Sequence, residues 1–348
     1  MKAMGKRMKK HIIFATAAVL AMTAFQPVMA ESLPGEGKTI RFARSDSLGA
    51  NYVQDVILIE ALKKLGYDVQ MSTLGSTASM QAAAQGDMDF VSDINMPQQE
   101  ASYVKVKDRL DLIGEGSIIG GGTNGYYIDK KTAEAHNITN VEQLKDPKIA
   151  ALFDTNGDGK ADMVNCDPGW RCGDVVDFQI EKFGLKDTVQ SVRAKYEVLL
   201  AETFARYKRG EPILLYTWTP SWVTDSLKPG VDAVWLPIPF DALPENVQSP
   251  GGHLVKGIVG CAGGQDPCRM TTGSWNWMMM VNKDFNAANP AVRKFVEVMR
   301  WPTSTWAEWE TELNKDSSDR ALKKLGEAWI AANQATFDGW VAEAGQAQ

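Results

Sequence analysis

Between Thr39 and Val91 the chain alternates strand-like and helix-like segments, and this alternation most narrows the folds open to it. Thr39-Ile40-Arg41-Phe42-Ala43 reads as a strand, and Asn51 to Leu65 as an amphipathic helix stopped by Gly66. Tyr67 to Met71 follows as a second strand, Ser76 to Gln85 as a second helix and Asp89-Phe90-Val91 as a third strand. Strands joined through helices do not close as hairpins, so the β-α-β-α-β order predicts an α/β fold with a mixed, mainly parallel sheet flanked by helices. Ligands of such sheets sit beyond the carboxyl ends of the strands. That makes the loops Asp46 to Asn51, Gly75 to Thr77 and Asp93 to Gln99 candidates for one wall of a cleft.

The first thirty residues read as an export signal. Lys2, Lys6, Arg7, Lys9 and Lys10 precede an apolar run from Ile12 to Ala24, and Val28-Met29-Ala30 offers a small-residue cleavage site. The apolar run is shorter than the ~20 residues that span a bilayer. With residues 1–30 removed, about 318 remain, more than one hydrophobic core usually serves, so two lobes are expected. The formal charge of the whole chain is −6, and losing the basic leader makes it more negative, which argues against a nucleic-acid partner. No cysteine stands at the start of the mature chain, so a diffusing periplasmic monomer is expected rather than a lipid-anchored one.

In an oxidising compartment Cys166, Cys172, Cys261 and Cys268 are expected to pair as disulfides. Three connectivities are open, and proximity favours the two local pairs, Cys166 with Cys172 and Cys261 with Cys268. A zinc site would need close ligands beyond the cysteines, and only His136 and His253 remain to supply them. Trp170 lies between the first two cysteines, on a small turn where an indole does not easily bury itself. Pro212 to Thr217 reads as a buried strand emptying into Trp218-Thr-Pro-Ser-Trp222. Indole walls on braced turns suit a quaternary ammonium ion, which carries charge without an N–H and is attracted to a ring face by roughly 0.5–2 kcal/mol. Core packing is the plainer reading of either Trp218 or Trp222 taken alone.

Two further stretches invite a ligand. Asp154-Thr-Asn156-Gly-Asp158-Gly-Lys160-Ala-Asp162 has oxygen ligands at positions 1, 3 and 5 of an EF-hand-like loop, a further Asp at 9, and Gly159 at the sharp turn. Position 12 is Asn165 rather than Glu, so a structural Ca2+ held by Asp154, Asn156, Asp158, Lys160 (through its carbonyl) and Asp162 competes with a plain Asp/Asn/Gly turn. Gly114 to Gly125 is glycine-rich but lacks the Lys-Ser/Thr of a phosphate cradle, and reads as a crossover between lobes.

Tyr127-Ile-Asp-Lys-Lys-Thr132, Leu144-Lys-Asp-Pro-Lys-Ile149, Leu152-Phe-Asp-Thr-Asn-Gly-Asp-Gly-Lys-Ala-Asp162, Pro168-Gly-Trp170, Tyr216-Thr-Trp-Thr-Pro220 and Phe337-Asp-Gly-Trp340 together make a further point. In these segments the chain resembles the periplasmic glycine betaine/proline betaine-binding components of ABC importers, over nearly its whole mature length. The resemblance implies a two-lobed type II periplasmic binding protein: lobe 1 from residues 31–123, lobe 2 from 124–260, and a return to lobe 1 over 261–348. It implies capture of a quaternary ammonium solute in an inter-lobe Trp cage and delivery to a membrane permease. Trp170 and Trp218 match two cage positions, and the backbone N–H groups of Arg171 and Cys172 match the carboxylate site. Where the family reads Trp-Thr-Pro-Leu-His, this chain reads Asn95-Met-Pro-Gln-Gln99, so an indole and an imidazole become the amides of Asn95 and Gln99.

Trp275 and Trp277 are the candidates to fill the gap. Read as a strand facing them in opposite directions, their segment offers at most one of them to the cleft. The altered wall opens trimethylamine N-oxide, carnitine, choline and dimethylsulfoniopropionate as alternative ligands beside glycine betaine and proline betaine. An enzyme is the rival class, with neither G-x-S-x-G nor H-E-x-x-H to support it. A sugar-binding protein is another, since sugars also stack on indoles but want several amides and carboxylates around them. The tryptophans of the C-terminal part, Trp301, Trp306, Trp309, Trp329 and Trp340, with Phe337, read as packing residues of the first lobe.

Overall fold

The computed structural model describes Met1 and residues 32–46, 48–168, 170–245, 247, 249 and 251–347; the leader expected at 1–30 lies, apart from Met1, outside them. The strands run in chain order as β1 (Thr39–Ser45), β2 (Asp68–Leu74), β3 (Phe90–Met96), β4 (Leu110–Ile113), β5 (Ile118–Ile119), β6 (Thr123–Asp129) and β7 (Ala161–Val164). After these come β8 (Val189–Val192), β9 (Leu214–Thr219), β10 (Ala233–Leu236), β11 (Leu254–Val255), β12 (Cys268–Arg269), β13 (Asn276–Asn282) and β14 (Trp301–Pro302).

Ten of them form two five-stranded sheets, ordered β2-β1-β3-β13-β4 and β10-β6-β9-β7-β8, and the other four pair as β11-β12 and β14-β5. In the first, β1 is parallel to β2 and β3, as the alternation predicts, through helices α1 (Ala50–Lys64) and α2 (Ser76–Gln85). Gly66 and Gly86 follow these helices with φ of 93° and 85°, left-handed values that a side chain resists, so both helices stop there. β13 then enters from the far end of the chain, antiparallel to both β3 and β4. In the second sheet β7 is parallel to β8 and β9, while β6 and β10 are antiparallel additions.

Each sheet is covered on both faces, so central strands such as β3 and β9 are buried along most of their length, while the edge strand β2 stays largely exposed. On one face of the first sheet, Phe42 and Phe90 stack at 5.0 Å beneath Val53, Ile57 and Leu62 of α1. The C-terminal helices extend this cluster. Trp301 is buried at its centre, with Trp306, Trp309, Trp329 and Trp340 edge-on around it at 5.2–6.0 Å. These indoles and Phe337 are therefore packing residues; truncating Trp301 to Ala would cost about 3–5 kcal/mol. Among the described residues no helix is long and apolar enough to cross a membrane.

The chain passes from the first sheet to the second at Gly122, and the returning strand lies beside it. The N–H of Gly122 donates to the carbonyl of Trp275 at 2.7 Å, and that of Trp275 to the carbonyl of Gly122 at 2.9 Å. The Trp275 indole covers Gly122 so closely that a Cβ there would stand 2.4 Å from the ring. The return falls later than residue 261. Cys261, Cys268 and Met270 pack in a cluster of the second sheet, and Ile238 donates to the carbonyl of Arg269, so Thr271 to Trp275 carries the chain back.

Candidate functional site

Two loops leave the second sheet at the carboxyl ends of the neighbouring parallel strands β7 and β9, where α/β sheets place ligands. After β7, Asn165 is buried; its Oδ1 accepts the N–H of Cys166 and its Nδ2 donates to Ser191 Oγ at 2.8 Å. The Cys166–Cys172 disulfide closes the turn across a Cα separation of 6.1 Å. Cys261–Cys268 is the second disulfide, so both local pairings hold. Trp170 stands just before the helix Arg171–Lys182 and remains 39% exposed. No side chain caps that helix. The N–H groups of Arg171 and Cys172 lie in its first turn, where N–H groups have no intrahelical partner and carry the positive end of the helix dipole.

Trp218, at the end of β9, brings a second indole to the first: the rings meet edge to face at 6.1 Å. A third ring, which the sequence did not reveal, joins them. Tyr196 stacks on Trp218 at 5.3 Å and 24° and lies 6.1 Å from Trp170. Asp167 fastens it there, because one carboxylate oxygen accepts the backbone N–H of Tyr196 and the other pairs with Lys195 at 2.9 Å. The Tyr196 hydroxyl donates to the carbonyl of Tyr216, and burial pushes the phenol above its ordinary pKa, so the ring stays neutral. The available signal was Lys195-Tyr196 opening a helix straight after β8, one strand away from Trp170. Trp222 belongs elsewhere: it stacks on Phe204 at 5.2 Å.

From the first sheet, β3 ends in Asn95-Met96-Pro97 as β9 ends in Trp218-Thr219-Pro220, and both X-Pro bonds are cis. Gln99 precedes the short helix Glu100–Tyr103 and donates its N–H to the carbonyl of Asn95. Asn95 pairs across the sheet with Trp277. The expectation that Trp275 and Trp277 point in opposite directions is corrected here. Residues two apart on extended chain share a face, and the two rings touch edge to face at 5.7 Å. Trp275 is buried and Trp277 partly so.

Beneath the first-sheet loops, the buried Asp93 accepts bonds from the N–H and Oγ of Ser45 and from Asn51 Nδ2. Burial pushes it up to about 6. Burial, and then the Asp93 charge, push Asp55 well above the carboxylate range. The loop after Phe153 satisfies its own oxygens. Asp154 accepts the N–H groups of Gly157 and Gly159, Asp158 that of Lys160, and Asp162 those of Thr155, Asn156 and Gln190. Among the described residues no three His, Cys, Asp or Glu stand together as a metal site.

Residues 38–332 match the model of the substrate-binding domain of ABC-type glycine betaine transport systems. The chain is 38% identical over 344 residues to the glycine betaine/proline betaine-binding periplasmic protein of Salmonella typhimurium, covering 98% of this chain and 100% of that one. It is 36% identical over 334 residues to the glycine betaine-binding periplasmic protein OusX of Dickeya dadantii, covering 95% and 97%. Among solved structures it shares its two-lobed α/β fold with the glycine betaine, L-proline ABC transporter binding protein ProX of Borrelia burgdorferi. That match has a TM-score of 0.59 at 16% identity, over 87% of this chain and 96% of that one.

Proposed function

The chain belongs to the family of substrate-binding domains of ABC-type glycine betaine transport systems, and from that premise we propose that it captures a small quaternary ammonium solute between its sheets and delivers it to a membrane permease. Glycine betaine or proline betaine is the ligand class. Members of the family are transport proteins that bind substrate rather than transform it, and the relatives named above are periplasmic, which is the location proposed for this chain.

The observation that carries the reading is the junction at Trp170. Its indole stands in contact with Trp218 and Tyr196, and the next two residues begin an uncapped helix. One end of the ligand, a methylated cation, meets electron-rich ring faces from which water is excluded. The other end, a carboxylate, meets the N–H groups of Arg171 and Cys172 at the positive end of the helix. Ring and N–H groups are adjacent in sequence, so their separation suits a zwitterion with a single carbon between its charges. Binding closes the lobes only if both contribute contacts, because a ligand shifts an equilibrium by its differential affinity for the two states.

The test is titration calorimetry of the mature protein with glycine betaine and proline betaine, beside trimethylamine N-oxide, carnitine, choline and dimethylsulfoniopropionate. Micromolar or tighter binding of a betaine is expected. Silence toward the whole panel would overturn the cage, and binding of choline with neither betaine would overturn the carboxylate site at Arg171 and Cys172.

A further inference from the structure

The first sheet brings residues of a different chemistry to the end of β3. Asn95 stands directly across from Trp277 in the antiparallel register of β3 and β13. Both side chains therefore leave the same face of the sheet, with Cβ atoms about 4.5–5.5 Å apart. Trp277 meets Trp275 edge to face. The Trp275 indole covers Gly122, close to the carbonyl of Thr219, and Trp218, the residue before Thr219, packs against the same cluster as Trp275 and Trp277. Aromatic surface thus runs from Trp277 through Trp275 to the crossover, where β9 ends at Trp218 and Thr219. Beside this run, the carboxamide oxygen of Asn95 is cut off from solvent and accepts no hydrogen bond. Buried acceptors in folded proteins are ordinarily paired, and one left without a donor is destabilising until something supplies it.

Resting on the cage reading above, we propose that Trp277 is the first-sheet wall of the cage and that the Asn95 oxygen accepts a hydrogen bond from the bound ammonium. The site then still admits a betaine but holds more tightly a methylated ammonium that keeps one N–H. A trimethylated nitrogen has no hydrogen to donate and leaves Asn95 unpaired. A protonated dimethylamino group presents two methyls to the rings and its N–H to the oxygen. N,N-dimethylglycine carries that group, together with the same carboxylate as glycine betaine for the helix at Arg171. Sites built to bond a ligand N–H discriminate strongly against analogues that lack it.

The experiment is titration calorimetry of N,N-dimethylglycine and glycine betaine at neutral pH against the wild type and three variants, each checked for folding by thermal melt. The wild type is expected to bind dimethylglycine at least tenfold more tightly than glycine betaine. Asn95→Leu is expected to shift that ratio tenfold or more toward glycine betaine. Trp277→Leu is expected to weaken both ligands about tenfold, and Trp277→Phe, which restores a ring, to recover most of that loss. A wild type that prefers glycine betaine, an unchanged ratio in Asn95→Leu, or Trp277→Leu and Trp277→Phe binding alike would overturn the proposal while leaving the cage of the second sheet standing. Absence of binding to both ligands by the wild type would overturn the cage and this proposal together.

Discussion

Replacing Trp170 by Ala tests the candidate site at the position where folding and binding separate most cleanly. A large aromatic side chain has about 250 Å² of surface, and Trp170 is 39% exposed, which leaves roughly 100 Å² of indole open. A small cation lying on one face covers about half of that, worth about 1.2 kcal/mol at ~25 cal/mol per Å². The cation–π attraction adds about 1–2 kcal/mol in a desolvated site. Together these predict a loss of roughly 2–3 kcal/mol, or about 30- to 150-fold in Kd. The folded protein forfeits the ring contacts of Trp170 with Tyr196 and Trp218 and with them the roughly 150 Å² of indole already covered, about 3–4 kcal/mol at the same coefficient, so the melting temperature should fall by roughly 5 °C. Calorimetric titration with glycine betaine and a thermal melt read the two effects separately. A Kd within threefold of the wild type, in a variant that the melt shows to be folded at the titration temperature, would refute the assignment of Trp170 as a wall.

Three further outcomes are expected. The Asp55–Asp93 cluster has folded-state pKa values raised above the ordinary carboxylate value, so the folded protein holds these protons more tightly than the unfolded chain. Each carboxyl contributes stability that is full below pH 4 and is lost as pH rises through its own folded-state pKa, which for Asp93 is about 6. Asp55→Asn should therefore gain in urea midpoint over the wild type as pH rises from acid to alkaline, and a difference that does not vary with pH would contradict this. Removing the Cys166–Cys172 disulfide with paired Ser substitutions frees the turn that presents Trp170 and the Arg171 N–H. Stability should drop by about 2 kcal/mol and ligand affinity should weaken, whereas equal affinity would show that the turn holds its shape unaided. Because Asp154, Asp158 and Asp162 already accept hydrogen bonds within their own loop and from Gln190, millimolar calcium or EDTA should leave the melt unchanged. A calcium-dependent rise of several degrees would instead support a structural Ca2+ in this loop.

What the sequence by itself determined is local. Strand and helix alternation from Thr39 onward, the helix stop at Gly66, the pairing of nearby cysteines and the exposure of Trp170 on its stapled turn all depend on neighbours a few residues away, and composition and backbone preference act at that range. Tertiary structure decided what depends on distant segments meeting. β13 slides between β3 and β4, which sets Trp277 opposite Asn95 and places Trp275 over Gly122. Asp167 draws Tyr196 into the ring cluster, while Trp222 turns to Phe204 although it stands in the same short motif as Trp218. A strand carries one periodicity whichever neighbour it joins, and an indole has the same apolar surface in a core as in a cage. Only the register between strands far apart in the chain, set by which faces can be buried together, settles which ring meets the ligand.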